Sequence, residues 1–190
     1  MRRIILLAAC LPLLLPGASR ADDLGDALGE ATKAYKAGDF GAMRGALQDA
    51  LQLLGQRAAA NLAAALPGPL AGWTAAEAET SSGGMLGMLG GGTQASRQYS
   101  NAQGQSVKIE VTADSPLIAQ LGMLLTNPAT MGAMGKPIRI GSQRAVQTAD
   151  NEIQMLVDNR ILVGITGDAP IEAKLAYARA IDLAKVAAVK

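Results

Sequence analysis

Along the first third of the chain the apolar positions fall into a helical rhythm. Leu24, Leu28, Ala31 and Tyr35 are spaced by four, three and four residues, which lines one face of a helix. Gly38 supplies a natural stop. Asp39 can cap a second helix that carries Phe40, Met43, Leu47, Leu51 and Leu54 on one side. The alanine-rich continuation predicts that this helix runs to Leu66, with Gly55 as a weak point, until Pro67-Gly68-Pro69 ends it. Residues 22–66 are therefore expected to form a helical hairpin. The stretch from Ala34 to Phe40 looks like the turn of a tetratricopeptide helix pair, but only one pair is present. Arrays of that kind need about three repeats to be stable, so the expectation is an ordinary hairpin packed on the rest of the domain.

From Trp73 onward the rhythm changes to period two. Val107, Ile109 and Val111 alternate with Lys108, Glu110 and Thr112, the pattern of a half-buried strand with one face in water. It pairs in a hairpin with the stretch around Tyr99, across Ala102-Gln103-Gly104. Ser115-Pro116 starts a helix, with Leu117, Leu121, Leu124 and Leu125 as its apolar face. Strands follow at about 137–141, 143–149, 152–157 and 160–166, with turns at Asp150-Asn151 and Asp158-Asn159. Their connections are too short for helical crossovers, so they should pair as an antiparallel meander. A last helix opens at Asp168 and Pro170 and turns Ile171, Leu175, Ala178 and Ile181 inward. The whole predicts the α+β class: an N-terminal helical hairpin followed by an antiparallel sheet covered by helices on one face, with residues 67–190 as a sandwich domain.

The first residues carry a different message. Met1-Arg2-Arg3 is a positive start, Ile4 to Leu15 is apolar apart from Pro12, and Ala18-Ser19-Arg20-Ala21 precedes Asp22. That order is the pattern of a cleavable signal peptide spanning residues 1–21, and it implies export to the periplasm. The apolar run falls short of the roughly 20 residues of a membrane span. Leu7-Ala8-Ala9-Cys10 offers an alternative, because it resembles a lipobox whose cysteine becomes a lipid anchor. Only six apolar residues precede Cys10 and the run continues beyond it, which favours cleavage after Ala21.

Composition then removes whole classes of chemistry. The chain has no histidine, and its one cysteine is Cys10. Zinc sites built from His and Cys, Ser-His-Asp and Cys-His nucleophile systems and histidine-ligated haem are excluded. Without mature cysteines there are no disulfides, and an exported domain must then stand on its core. Loss of Arg2, Arg3 and Arg20 takes the basic count from 17 to 14 against 16 acidic residues, a net charge of −2. No nucleic-acid partner is indicated, since that needs a basic face, and no transmembrane span is expected in the mature chain.

Two segments depart from ordinary loop composition. Ser81 to Gly92 contains Met85-Leu86-Gly87-Met88-Leu89 among glycines, and Asn127 to Gly135 contains Met131-Gly132-Ala133-Met134. The methionines can fill gaps at the rim of the core. They can also form an adaptable apolar contact surface of Met85, Leu86, Met88, Leu89, Met131 and Met134, for a protein, a lipid or a small apolar ligand. A third reading makes Met85, Met88, Met131 and Met134 thioether ligands of Cu(I). The glycine run lacks the Gly-Lys-Ser/Thr ending of a phosphate loop. Glu77 and Glu79 would share one strand face, an arrangement that suits an exposed edge better than acid–base work. Trp73 is expected as a core anchor.

Leu66-Pro67 followed by Gly72-Trp73, the Gly/Met segment before Tyr99, and Ala180-Ile181-Asp182-Leu183 together resemble a group of bacterial exported proteins of unknown function. The resemblance covers about two thirds of the chain. It implies a periplasmic location and brings no activity, cofactor or site residues with it. The arrangement is also distantly similar to Mog1/PsbP-type sandwiches, an analogy that bears on fold alone. The sequence thus leads to the expectation of a soluble periplasmic α+β protein, not an enzyme and with no cofactor, that acts by binding through its Gly/Met-rich loops. Periplasmic Cu(I) binding is the alternative.

Overall fold

The computed structural model describes residues 23–82, 92–116, 118, 122 and 128–189. The signal segment, Cys10 and residues 83–91 lie outside the described residues.

Two helices open the described residues, α1 (Asp23–Lys36) and α2 (Phe40–Ala65). The turn between them forms as its residues dictate. The Asp39 carboxylate accepts from the Ala42 amide at 2.9 Å, filling one of the bonds a helix start leaves open. Ala27 and Ala31 of α1 are buried, as are Ala46 and Ala50 of α2, so the two helices meet along an alanine seam. Gly55 does not interrupt α2. A Cβ built there would sit 3.0 Å from the Ser82 Cβ; its lack of a side chain is what lets the sheet edge approach the helix.

The strands are β1 (Trp73–Ala75), β2 (Glu79–Ser82), β3 (Thr93–Asn101), β4 (Ser106–Ala113), β5 (Lys136–Ile140), β6 (Gln143–Gln147), β7 (Ile153–Val157) and β8 (Ile161–Thr166). They form one eight-stranded sheet in the order β1-β3-β4-β8-β7-β6-β5, with β2 also on β3. Every pairing is antiparallel. The expected meander is β5 to β8, and β8 closes it onto β4. Asp158 and Asn159 both take positive φ in the tight β7–β8 turn, the geometry that Asn and Asp tolerate best.

Register builds the core. Ile109 pairs with Ile165, and Ile165 with Ile153; Val111 pairs with Val163, and Val163 with Met155. Ala113, Ile161 and Val157 complete a third rung. Residues two apart share a strand face, so these rungs place one apolar surface on one side of the sheet. On it lie the C-terminal part of α2 through Leu62 and Ala65, and two final helices, α4 (Ile171–Ala180) and α5 (Leu183–Ala188). The class is α+β, two N-terminal helices followed by an antiparallel sheet with helices, as the patterning implies.

Three details differ from the sequence reading. Ile118 and Met131, the latter in α3 (Pro128–Met134), pack with Val146 and Leu156 in a separate small cluster. Val146 and Leu156 adjoin Ala145 and Met155 of the main core, so they point to the opposite face. Ile118 and Met131 do not share the face of α4, and Leu117, Leu121, Leu124 and Leu125 lie outside the described residues. The last helix is two helices, because the Asp182 carboxylate accepts from the Lys185 amide at 3.0 Å and caps a new start. Asp168 does not cap α4. Its carboxylate instead accepts from the Ser106 amide at 2.5 Å and hydroxyl at 2.7 Å, which fastens the end of β8 to the start of β4. The Ser106 bonds hold the Asp168 carboxyl below the usual carboxylate range. At Gly167 φ is +113°, and a Cβ would fall 2.3 Å from the Ser106 carbonyl oxygen, so this crossing admits no side chain.

Candidate functional site

Two tyrosines fix the junction between hairpin and sheet. Tyr99 on β3 donates its hydroxyl hydrogen to the Pro67 carbonyl at 2.7 Å, and the Leu70 amide donates to the Tyr177 hydroxyl at 3.3 Å. Their rings pack 4.3 Å apart, and Trp73 meets Tyr177 edge-on at 5.5 Å. Trp73 is thus packed against the core at the junction, and the Pro67–Leu70 connection is held from both ends. Burial pushes the Tyr99 hydroxyl up to about 12, with the Arg97 guanidinium pulling weakly the other way.

Beyond this junction α2 continues past the sheet, and here burial stops. Its apolar positions form one continuous stripe. Phe40, Met43, Leu47, Leu51 and Leu54 recur every three or four residues, and the same face runs on through Ala58, Leu62 and Ala65. Leu62 is wholly buried in the core, and Ala65 nearly so. In contrast, Leu28, Tyr35, Phe40, Leu47, Leu51 and Leu54 are 38% to 68% exposed. These are large apolar side chains in water, and all six belong to the hairpin. Leu28, Ala31, Thr32, Tyr35, Met43 and Leu47 line an open groove of about 330 Å³ between the two helices. Its floor is Ala31 of the seam, and its walls are the larger residues.

The arrangement suits apolar docking and not proton chemistry. The helices carry acidic Asp23, Asp26, Glu30, Asp39 and Asp49 beside basic Lys33, Lys36, Arg44 and Arg57, with no dominant sign. Between Phe40 and Leu54 the only charges are Arg44 and Asp49. A contact surface depleted of charge at its centre is what protein interfaces show.

Of the contact residues singled out from sequence, Met131 and Met134 are among the described ones. Met131 is 5% exposed and Met134 half-buried against the same small cluster, so both fill space over the outer face of β6 and β7. Met131 also borders a shallow hollow of about 420 Å³ with Pro137, Ile138, Arg139 and Arg144. Met85, Leu86, Met88 and Leu89 lie outside the described residues. Glu77 falls between β1 and β2, so it does not share a strand with Glu79. The hairpin surface is the feature that sequence reasoning missed. The stripe is visible in the spacing of its residues, but spacing alone does not say which part of it is covered. The signal was the length of the stripe, which exceeds what the sheet can cover.

Among the described residues, no helix is long and apolar enough to cross a membrane. Comparison with protein-family models, curated proteins and solved structures finds no match to this chain.

Proposed function

We propose that this chain is an exported, non-catalytic protein that works by binding, and that its contact surface is the uncovered hairpin face, which takes an amphipathic helix of a protein partner. The observation that carries this is the concentration of large exposed apolar side chains on α1 and α2, aligned along one stripe and one groove. Monomeric proteins seldom leave apolar patches of more than a few hundred Å² in water without a use for them. A long groove between two helices accepts a third helix by ridge-into-groove packing.

Other occupants fit less well. Small-molecule sites enclose most of their ligand, whereas this groove is open along its length. Helices that lie on anionic membranes carry a polar face rich in Lys and Arg, and here acidic residues interleave with basic ones. Export rests on the order of charge, apolar run and small residues in positions 1–21. The non-catalytic reading rests on the missing histidines and on acidic residues that serve turns, caps and the Ser106 clamp.

The test compares the assembly mass of the exported protein with that of Leu51→Glu, by native mass spectrometry of periplasmic extracts. The wild type is expected in a complex heavier than one chain, and the variant as a folded single chain that still melts cooperatively. A wild type that is a single chain at every concentration would sink the reading.

A further inference from the structure

We infer that the helix received by this face is α2 of a second copy of the chain, so that two hairpins join as an antiparallel four-helix bundle about a two-fold axis at Leu47. The inference rests on the reading of the hairpin face as a helix-docking surface.

Spacing is the first argument. Phe40, Met43, Leu47, Leu51 and Leu54 are separated by three, four, four and three residues. The series reads the same from either end. Two copies laid antiparallel with Leu47 at the axis therefore match every apolar residue with another. Phe40 meets the partner's Leu54, Met43 meets the partner's Leu51, and Leu47 meets the partner's Leu47. A two-fold interface requires such self-complementarity, which a surface for an unrelated helix does not.

The ends of the stripe give the second argument. At one end it stops where α2 begins, at Phe40. At the other its exposed part ends where Ser82 of the sheet edge rests against Gly55. In the antiparallel arrangement the partner's α2 starts level with Leu54, so it ends where the sheet begins. A parallel partner helix would continue past Gly55 into Ser82.

Apolar content and charge agree. Six large apolar side chains per copy, each more than a third exposed, supply the apolar centre that a two-fold interface buries. Arg44 and Asp49 are the only charges between Phe40 and Leu54, so pairing the stripe with itself brings no block of like charge together. Leu28 and Tyr35 extend the contact from α1 on either flank.

Cysteine substitution tests the geometry directly, because the only native cysteine is Cys10. Under mild oxidation Leu47→Cys is expected to give a disulfide-linked dimer. Phe40→Cys alone should stay unlinked, since its partner position lies roughly 20 Å away at 1.5 Å per residue. A mixture of Phe40→Cys and Leu54→Cys chains should link to each other. Sedimentation equilibrium of the exported protein should give twice the chain mass at micromolar concentration. Leu47→Glu, which sets two carboxylates at the axis, should weaken the association at least ~100-fold with its melting curve retained in the monomer.

Linking through Phe40→Cys alone would overturn the antiparallel pairing. A complex of one chain with a different protein, lost in Leu51→Glu, would overturn the second copy and leave helix docking standing. A monomer that dimerises only after residues 83–91 are deleted would overturn it in favour of cover by the chain's own segment. A monomer in every case would overturn both.

Discussion

The two halves of α2 carry one apolar stripe and meet different neighbours. From Ala58 to Ala65 the stripe is mostly alanine with Leu62 at its centre, and it lies on the main core. From Phe40 to Leu54 it consists of large side chains, and nothing in the chain's described residues lies over Leu51 or Phe40. Small residues let a helix approach a sheet closely; large ones need a partner surface deep enough to interleave with them. Each large side chain left in water forgoes on the order of 1 kcal/mol or more relative to full burial. The difference teaches that a helical stripe measures what a helix can bury, while its neighbours decide what it does bury.

Substitutions can break the comparison at either end. The largest effect is expected for Leu62→Ala, which empties a fully buried site and should cost about 3 kcal/mol in urea unfolding. Gly167→Ala should follow, at about 2 kcal/mol, because its Cβ collides with the Ser106 carbonyl in a backbone region that suits glycine. Both act on the sheet side of the junction, and neither should alter association at matched folded concentration.

Tyr99→Phe comes next, at about 1 kcal/mol, through loss of the bond to the Pro67 carbonyl. This residue also gives the junction a pH signature. The folded state holds the Tyr99 proton more tightly, up to about 12, than the unfolded chain near 10. Its contribution is therefore fully present below pH 10 and is lost as pH rises toward 12. Alkaline titration of stability should fall less steeply in Tyr99→Phe. The smallest effect is expected for Leu51→Ala, within about 0.5 kcal/mol of wild type when the monomer is unfolded. A loss as large as that of Leu62→Ala would erase the distinction between the two halves.

Local signals carried much of the fold. Asp39 caps α2 and Asn151, Asp158 and Asn159 turn the chain with positive φ, because those preferences are written within a few residues. The alternation from Val107 to Val111 marked β4 for the same reason. Features set by distant partners were not legible. Asp168 looked like a cap because Ser106, its actual partner, is 62 positions away. Trp73–Ala75 and Glu79–Ser82 are too short and too exposed to show a strand period. The face covered by α3 depends on which side of β7 Leu156 takes, and period two alone does not choose a side. The hairpin surface is hidden for a related reason: the spacing shows an apolar stripe, and only the distant contact of Ser82 with Gly55 marks where the sheet begins to cover it.

That unbroken passage through Gly55 has a geometric consequence. A helix of 26 residues is about 40 Å long, held at one end on the sheet through Leu62 and at the other on α1 alone through the alanine seam. The uncovered stripe and the core therefore share one continuous helical backbone, with the first at its start and the second at its end.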